Sequence, residues 1–140
     1  MKILIVDDEF NNRMLMQKLL SPYGSCDVVV DGQEALEAFI LAHAEGEPYE
    51  LICMDIMMPE MDGHQSVQAI REKEKELAVA PRDEVRILMV TALDSPKDVL
   101  RAYYQDGCTD YMVKPVTREK VEEKLREYGL GDVIDVFSGE

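Results

Sequence analysis

Lys2-Ile3-Leu4-Ile5-Val6-Asp7-Asp8-Glu9 sets four consecutive apolar side chains in front of three acids. Short runs rich in Ile and Val that are apolar throughout fit strands buried on both faces of a sheet. Four comparable runs follow, Cys26–Val30, Leu51–Met54, Val85–Val90 and Asp110–Val113. Amphipathic stretches separate them, with apolar side chains three and four residues apart. Asn11–Ser21 carries Leu15, Met16, Leu19 and Leu20. The second starts at Asp31, a good N-cap with Glu34 three residues on, and bears Leu36, Phe39 and Ile40. The third runs from Gly63 to Leu77 through Val67 and Ile70. The fourth opens Ser95-Pro96-Lys97-Asp98, a cap, a proline and a first-turn acid in the expected order. The fifth follows Thr117, with Val121, Leu125 and Tyr128 on one stripe. Strand and helix alternate five times, which predicts an α/β fold, a doubly wound five-stranded parallel sheet with five helices on both faces.

A chain of 140 residues is one domain long and can bury a real core. No apolar run approaches the roughly 20 residues of a membrane span. The N-terminal apolar stretch is too short for a signal peptide, so a cytoplasmic location is expected. A formal net charge of -14 argues against nucleic acid and anionic membranes, both of which are bound through Lys and Arg. Cys26, Cys53 and Cys108 show neither zinc spacing nor a disulfide framework, and the first two fall in apolar runs, where cysteine acts as a small buried hydrophobe.

In doubly wound sheets, ligands bind beyond the carboxyl ends of the strands. The first strand ends in Asp7-Asp8-Glu9, the third in Asp55, the fourth in Thr91-Ala92 and the fifth in Lys114-Pro115. A lone Asp in such a place is usually a cap or turn former, but four strand ends each delivering a polar group point to one crevice. Asp7, Asp8 and Asp55 held together repel one another, and a hard, oxygen-preferring dication relieves the repulsion. Magnesium suits, because it accepts few carboxylates along with waters and phosphate. Asp55 is then a carboxylate nucleophile, with Lys114 and Thr91 available to the oxygens of a transferred phosphoryl group.

With Val6-Asp7-Asp8-Glu9, Met54-Asp55-Ile56-Met57-Met58-Pro59, Met61-Asp62-Gly63, Val90-Thr91-Ala92 and Asp110-Tyr111-Met112-Val113-Lys114-Pro115, the chain resembles the receiver domain of two-component response regulators, in particular the single-domain chemotaxis type. The match runs from Lys2 to about Tyr128. It implies a flavodoxin-like sheet of order 2-1-3-4-5. It implies Asp55 as phosphoacceptor, with Mg2+ held by Asp8 directly, by Asp7 mostly through water, by Asp55 and by the backbone carbonyl of Met57. Lys114 would contact the phosphoryl group, and the bond before Pro115 would be cis. Thr91 and Tyr111 would form the switch, Thr91 moving toward the new oxygen and the Tyr111 ring turning inward. The expected domain is 1–128, with 129–140 a tail and no effector domain. The donor would be a histidine kinase or histidine phosphotransfer protein and the output a protein partner, reached through a face including Leu100 and Tyr104. The chain would be a monomer or weak homodimer.

Other outcomes share these residues: a phosphorelay intermediate, a phosphate sink, or a receiver fragment of a hybrid histidine kinase. An enzyme that hydrolyses its aspartyl-phosphate, as haloacid-dehalogenase-like phosphatases do, needs an acid two residues after the nucleophile, where this chain has Met57. The expectation is therefore not an enzyme. A flavin or nucleotide binder would need a Gly- or Ser-rich loop where Asp7-Asp8-Glu9 stands. Apolar Met57 and Leu93 predict that self-dephosphorylation is not especially fast. Arg71–Glu76 reads as a solvated helix face, and His43 and His64 as surface residues. The methionines, Met14 and Met61 among them, read as packing.

Overall fold

The computed structural model describes residues 1–56, 61–92 and 107–131. Its five strands are β1 (Lys2–Val6), β2 (Ser25–Val29), β3 (Leu51–Asp55), β4 (Arg86–Thr91) and β5 (Asp110–Val113). They form one parallel sheet of order β2-β1-β3-β4-β5. Among the described residues there are four α-helices, α1 (Phe10–Leu20), α2 (Gly32–Ala44), α3 (Gly63–Glu76) and α4 (Arg118–Glu127), and a 3-10 turn at Pro81–Asp83. The helix expected from Ser95 lies outside the described residues, as does the tail from 132.

Side chains alternate across the sheet and so build two cores. Leu4, Val6, Ile52, Met54, Ile87 and Met89 pack under α2 and α3, against Phe39, Val67 and Ile70. Ile3, Ile5, Leu51, Cys53, Leu88 and Val90 pack under α1 and α4, against Met16, Leu20, Val121 and Leu125. Burying each large aliphatic side chain contributes about 1.5–3 kcal/mol, so the layers are held mainly by this double-sided burial. The cap at Asp31 is as the sequence suggested, and two more accompany it. Asp31 accepts from the Glu34 N–H, Thr117 from the Lys120 N–H, and Asp62 forms a reciprocal capping box with Gln65.

Several expectations need correction. β2 is not buried on both faces: it is an edge strand, Val28 is 43% exposed and Val30 lies beyond its end. Cys26, on this edge, is only partly buried. Leu15 and Ile40 look outward, and Met14, at 55% exposure, is not packing. His64 is buried, because α3 starts directly above the end of β3 and the first turn is covered.

The charge run Arg71–Glu76 is not simply a solvated face. Glu74 is 1% exposed; its carboxylate accepts from the Val85 N–H at 2.8 Å and from Arg71 at 2.7 Å. Arg71 also donates to the Gly107 carbonyl at 2.8 Å. The cause is local. The chain enters β4 beneath the end of α3, and the buried Val85 N–H there needs an acceptor.

Candidate phosphoacceptor site

In the β1–β3 register Val6 lies beside Met54, so the next step sets Asp7 beside Asp55. From β1 the chain passes to β2 on one side and returns at β3 on the other, so these two acids stand where strand order reverses. Oxygens of Asp7, Asp8 and Asp55 lie within 4.8 Å of one another. Asp7 and Asp55 are 5% and 7% exposed, whereas Asp8 is open to solvent. Lys114, immediately after β5, places Nζ 3.6 Å from Asp7 Oδ2 and 4.0 Å from Asp55 Oδ1. Three carboxylates against one ammonium leave a formal excess of two negative charges. The donor set thus matches a dication in both charge and oxygen chemistry, and solvent access at Asp8 leaves room for coordinating water.

Neighbouring groups fix these side chains. Asp7 Oδ1 accepts from the Glu9 N–H at 2.9 Å, and the Asp7 carbonyl accepts from Arg13 at 2.9 Å. Glu9 itself stays out of the cluster and accepts from Asn12. The Lys114–Pro115 bond is cis, as expected. Lys120 Nζ donates to the carbonyls of Val113 at 3.3 Å and Pro115 at 2.9 Å, bracketing Lys114. At the far side of β3, the Gly63 N–H donates to the Ile56 carbonyl at 2.9 Å and ties the start of α3 to the strand end.

Tyr111 is 9% exposed and belongs to the core under α2 and α3. Thr91 ends β4, but its side chain lies outside what is described, as do Met57, Leu93, Leu100 and Tyr104. Sequence reasoning missed Arg13 and Lys120, whose place in an ordinary helical charge pattern carries no sign of the carbonyls they reach. It also missed a cavity of about 270 Å3 on the α1 side of the acids, walled by Ile5, Leu15, Met16, Cys53, Val90 and Val116. Burial there pushes the Cys53 thiol up to about 12.

The family model for the response regulator receiver domain matches residues 3–126. The chain belongs to this family. Over its whole length this receiver is 31% identical to a chemotaxis protein CheY homolog of Campylobacter jejuni, covering 97% of that protein. It spans only 7%, 13% and 46% of the length of three longer relatives that it matches at 36%, 37% and 33% identity. Among solved structures, the receiver domain of Ssk1 from Saccharomyces cerevisiae, in complex with the phosphotransfer protein Ypd1, superposes with a TM-score of 0.79 at 29% identity, covering 98% of this chain and 94% of that one. The receiver domain of the histidine kinase CKI1 from Arabidopsis thaliana, complexed with Mg2+ and BeF3-, superposes at 0.74 with 26% identity, covering 90% and 89%. Among the described residues no helix is long and apolar enough to cross a membrane.

Proposed function

We propose that this receiver accepts a phosphoryl group on Asp55 from a phosphohistidine donor and signals through a protein partner. The observation that carries this is the meeting of Asp7, Asp8 and Asp55 with Lys114 at the point where strand order reverses. An Asp55 carboxylate oxygen forms the new bond to phosphorus as the phosphorus–nitrogen bond of the donor imidazole breaks. The electron pair stays on that nitrogen. Lys114 draws negative charge from the phosphoryl oxygens, and Thr91 donates a hydrogen bond to one of them. Asp8, Asp55 and the Met57 carbonyl would hold Mg2+ directly, and Asp7 mostly through water. When bound, the ion neutralises the acids and the incoming phosphate.

A protein donor is favoured by the surface beside the site. Phe10, Met14 and Leu15 of α1 are 62%, 55% and 42% exposed, an apolar strip next to the acids. Ypd1, seated on the similar Ssk1 receiver, is such a phosphotransfer protein. Output is proposed to run through Thr91 and Tyr111 to a face containing Leu100 and Tyr104. The test is incubation with acetyl phosphate and Mg2+ followed by intact-mass measurement. Wild type should gain one phosphoryl group, and Asp55→Asn should gain none. Equal labelling of both proteins, or of neither, would overturn the proposal.

A further inference from the structure

The turn from Met61 to Gly63 is held on two sides. On the near side a Cβ on Gly63 would lie 2.4 Å from the Asp55 carbonyl oxygen. On the far side Gly32, the first residue of α2, donates its N–H to the Met61 carbonyl at 3.2 Å, and a Cβ there would lie 2.4 Å from that same oxygen. Ser66, wholly buried, closes the arrangement by donating its hydroxyl to the Gly32 carbonyl at 3.0 Å. Asp62, between Met61 and Gly63, is locked by its capping box with Gln65. A shift of Met61 therefore passes through a rigid turn to Gly63, which rests on the carbonyl of the acceptor residue.

We infer that Gly32, with Ser66, is a positioning residue for the cation site, although it belongs to a helix that contributes no side chain to it. A methyl group at position 32 cannot share space with the Met61 oxygen, so Met61 must move outward by roughly an ångström to reach ordinary contact distance. That movement is transmitted to Asp55 and opens its separation from Asp7. Groups that orient ligands without touching a metal typically change its affinity by about 10–100-fold. The inference rests on the cation reading of Asp7, Asp8 and Asp55 given above.

The experiment is calorimetric titration of the unphosphorylated protein with MgCl2. Wild type is compared with Gly32→Ala, Ser66→Ala and Ala42→Gly. Ala42 is buried in the same helix at the opposite end, so its variant loses stability without disturbing the contact with Met61. Gly32→Ala should bind Mg2+ about tenfold more weakly, Ser66→Ala should be weakened less, and Ala42→Gly should match wild type. Wild-type affinity in Gly32→Ala, or an equal loss in Ala42→Gly, overturns the inference. If Gly32→Ala does not fold, Ser66→Ala decides, and unchanged affinity there overturns it. A wild type that binds no Mg2+ removes the cation reading and this inference together, whereas binding that is indifferent to position 32 removes only the latter.

Discussion

Lys114→Met separates two roles proposed for the ammonium. Its Nζ stands 3.6 and 4.0 Å from the Asp7 and Asp55 oxygens. At an effective dielectric constant of about 20, each contact amounts to roughly 4 kcal/mol of bare attraction. The Lys114 side chain is 26% exposed, so solvent leaves only a fraction, on the order of 1–2 kcal/mol, as net interaction. In the absence of a phosphoryl group that attraction competes with a dication for the same carboxylates. Removing it should strengthen Mg2+ binding by about tenfold, the equivalent of ~1.4 kcal/mol. Phosphoryl transfer should move the other way, slowing by about 100-fold, because a preorganised charge facing the transferring group is lost. Calorimetric titration with MgCl2 reads the first effect, and a time course of intact mass with acetyl phosphate reads the second. Opposite signs are the signature. If both affinity and transfer fell together, Lys114 would merely hold the acids in place, and the electrostatic account would be refuted.

Three further outcomes follow from the geometry. Glu74→Ala strands a buried Val85 N–H and a partly buried Arg71, and should cost about 3–5 kcal/mol in urea unfolding. Glu74→Gln, which keeps an acceptor, should cost less; a loss below about 1 kcal/mol in Glu74→Ala would contradict the buried-acceptor role. The Cys53 thiol ionises near 9.0 in the unfolded chain and about 12 in the folded one, so stability is whole below the first value and falls as pH rises between them, by about 1.4 kcal/mol per pH unit from this group. Burial of the Tyr49 and Tyr128 hydroxyls, each bonded to an Asp, adds loss in the same direction, so the comparison is with Cys53→Ala, whose urea stability should fall less steeply over that range; equal slopes would refute the assignment. Asp62→Ala breaks the capping box and should lower the urea unfolding free energy by about 1 kcal/mol, and an unchanged midpoint would show the cap to be dispensable.

The strand ends were legible because composition changes abruptly there. Val6 to Asp7 and Met54 to Asp55 each mark the step from a sheet interior to its rim, and β1 and β5 fall where the apolar runs put them. The cap at Asp31 and the helix start after Thr117 were legible because they are local. Illegible were facts that depend on what lies across from a residue. The run Cys26–Val30 reads as apolar whether its strand is central or at an edge, and only the order of the sheet exposes Val28. Glu74 has the same neighbours in sequence as any helix-surface acid; only the N–H of Val85, eleven residues on, buries it. Lys120 looks like a solvated charge until the β5 exit folds back beneath it.

Positions 7, 55 and 114 are brought together only by a finished sheet, since each pair is separated by whole crossovers. Pairings so remote in sequence form late and slowly. A chain emerging from the ribosome can nevertheless gather its acids once β1 and β3, neighbours in the sheet, have paired, before β5 exists. The countercharge of Lys114 arrives only with the last strand, so the acidic crevice is neutralised in step with completion of the sheet.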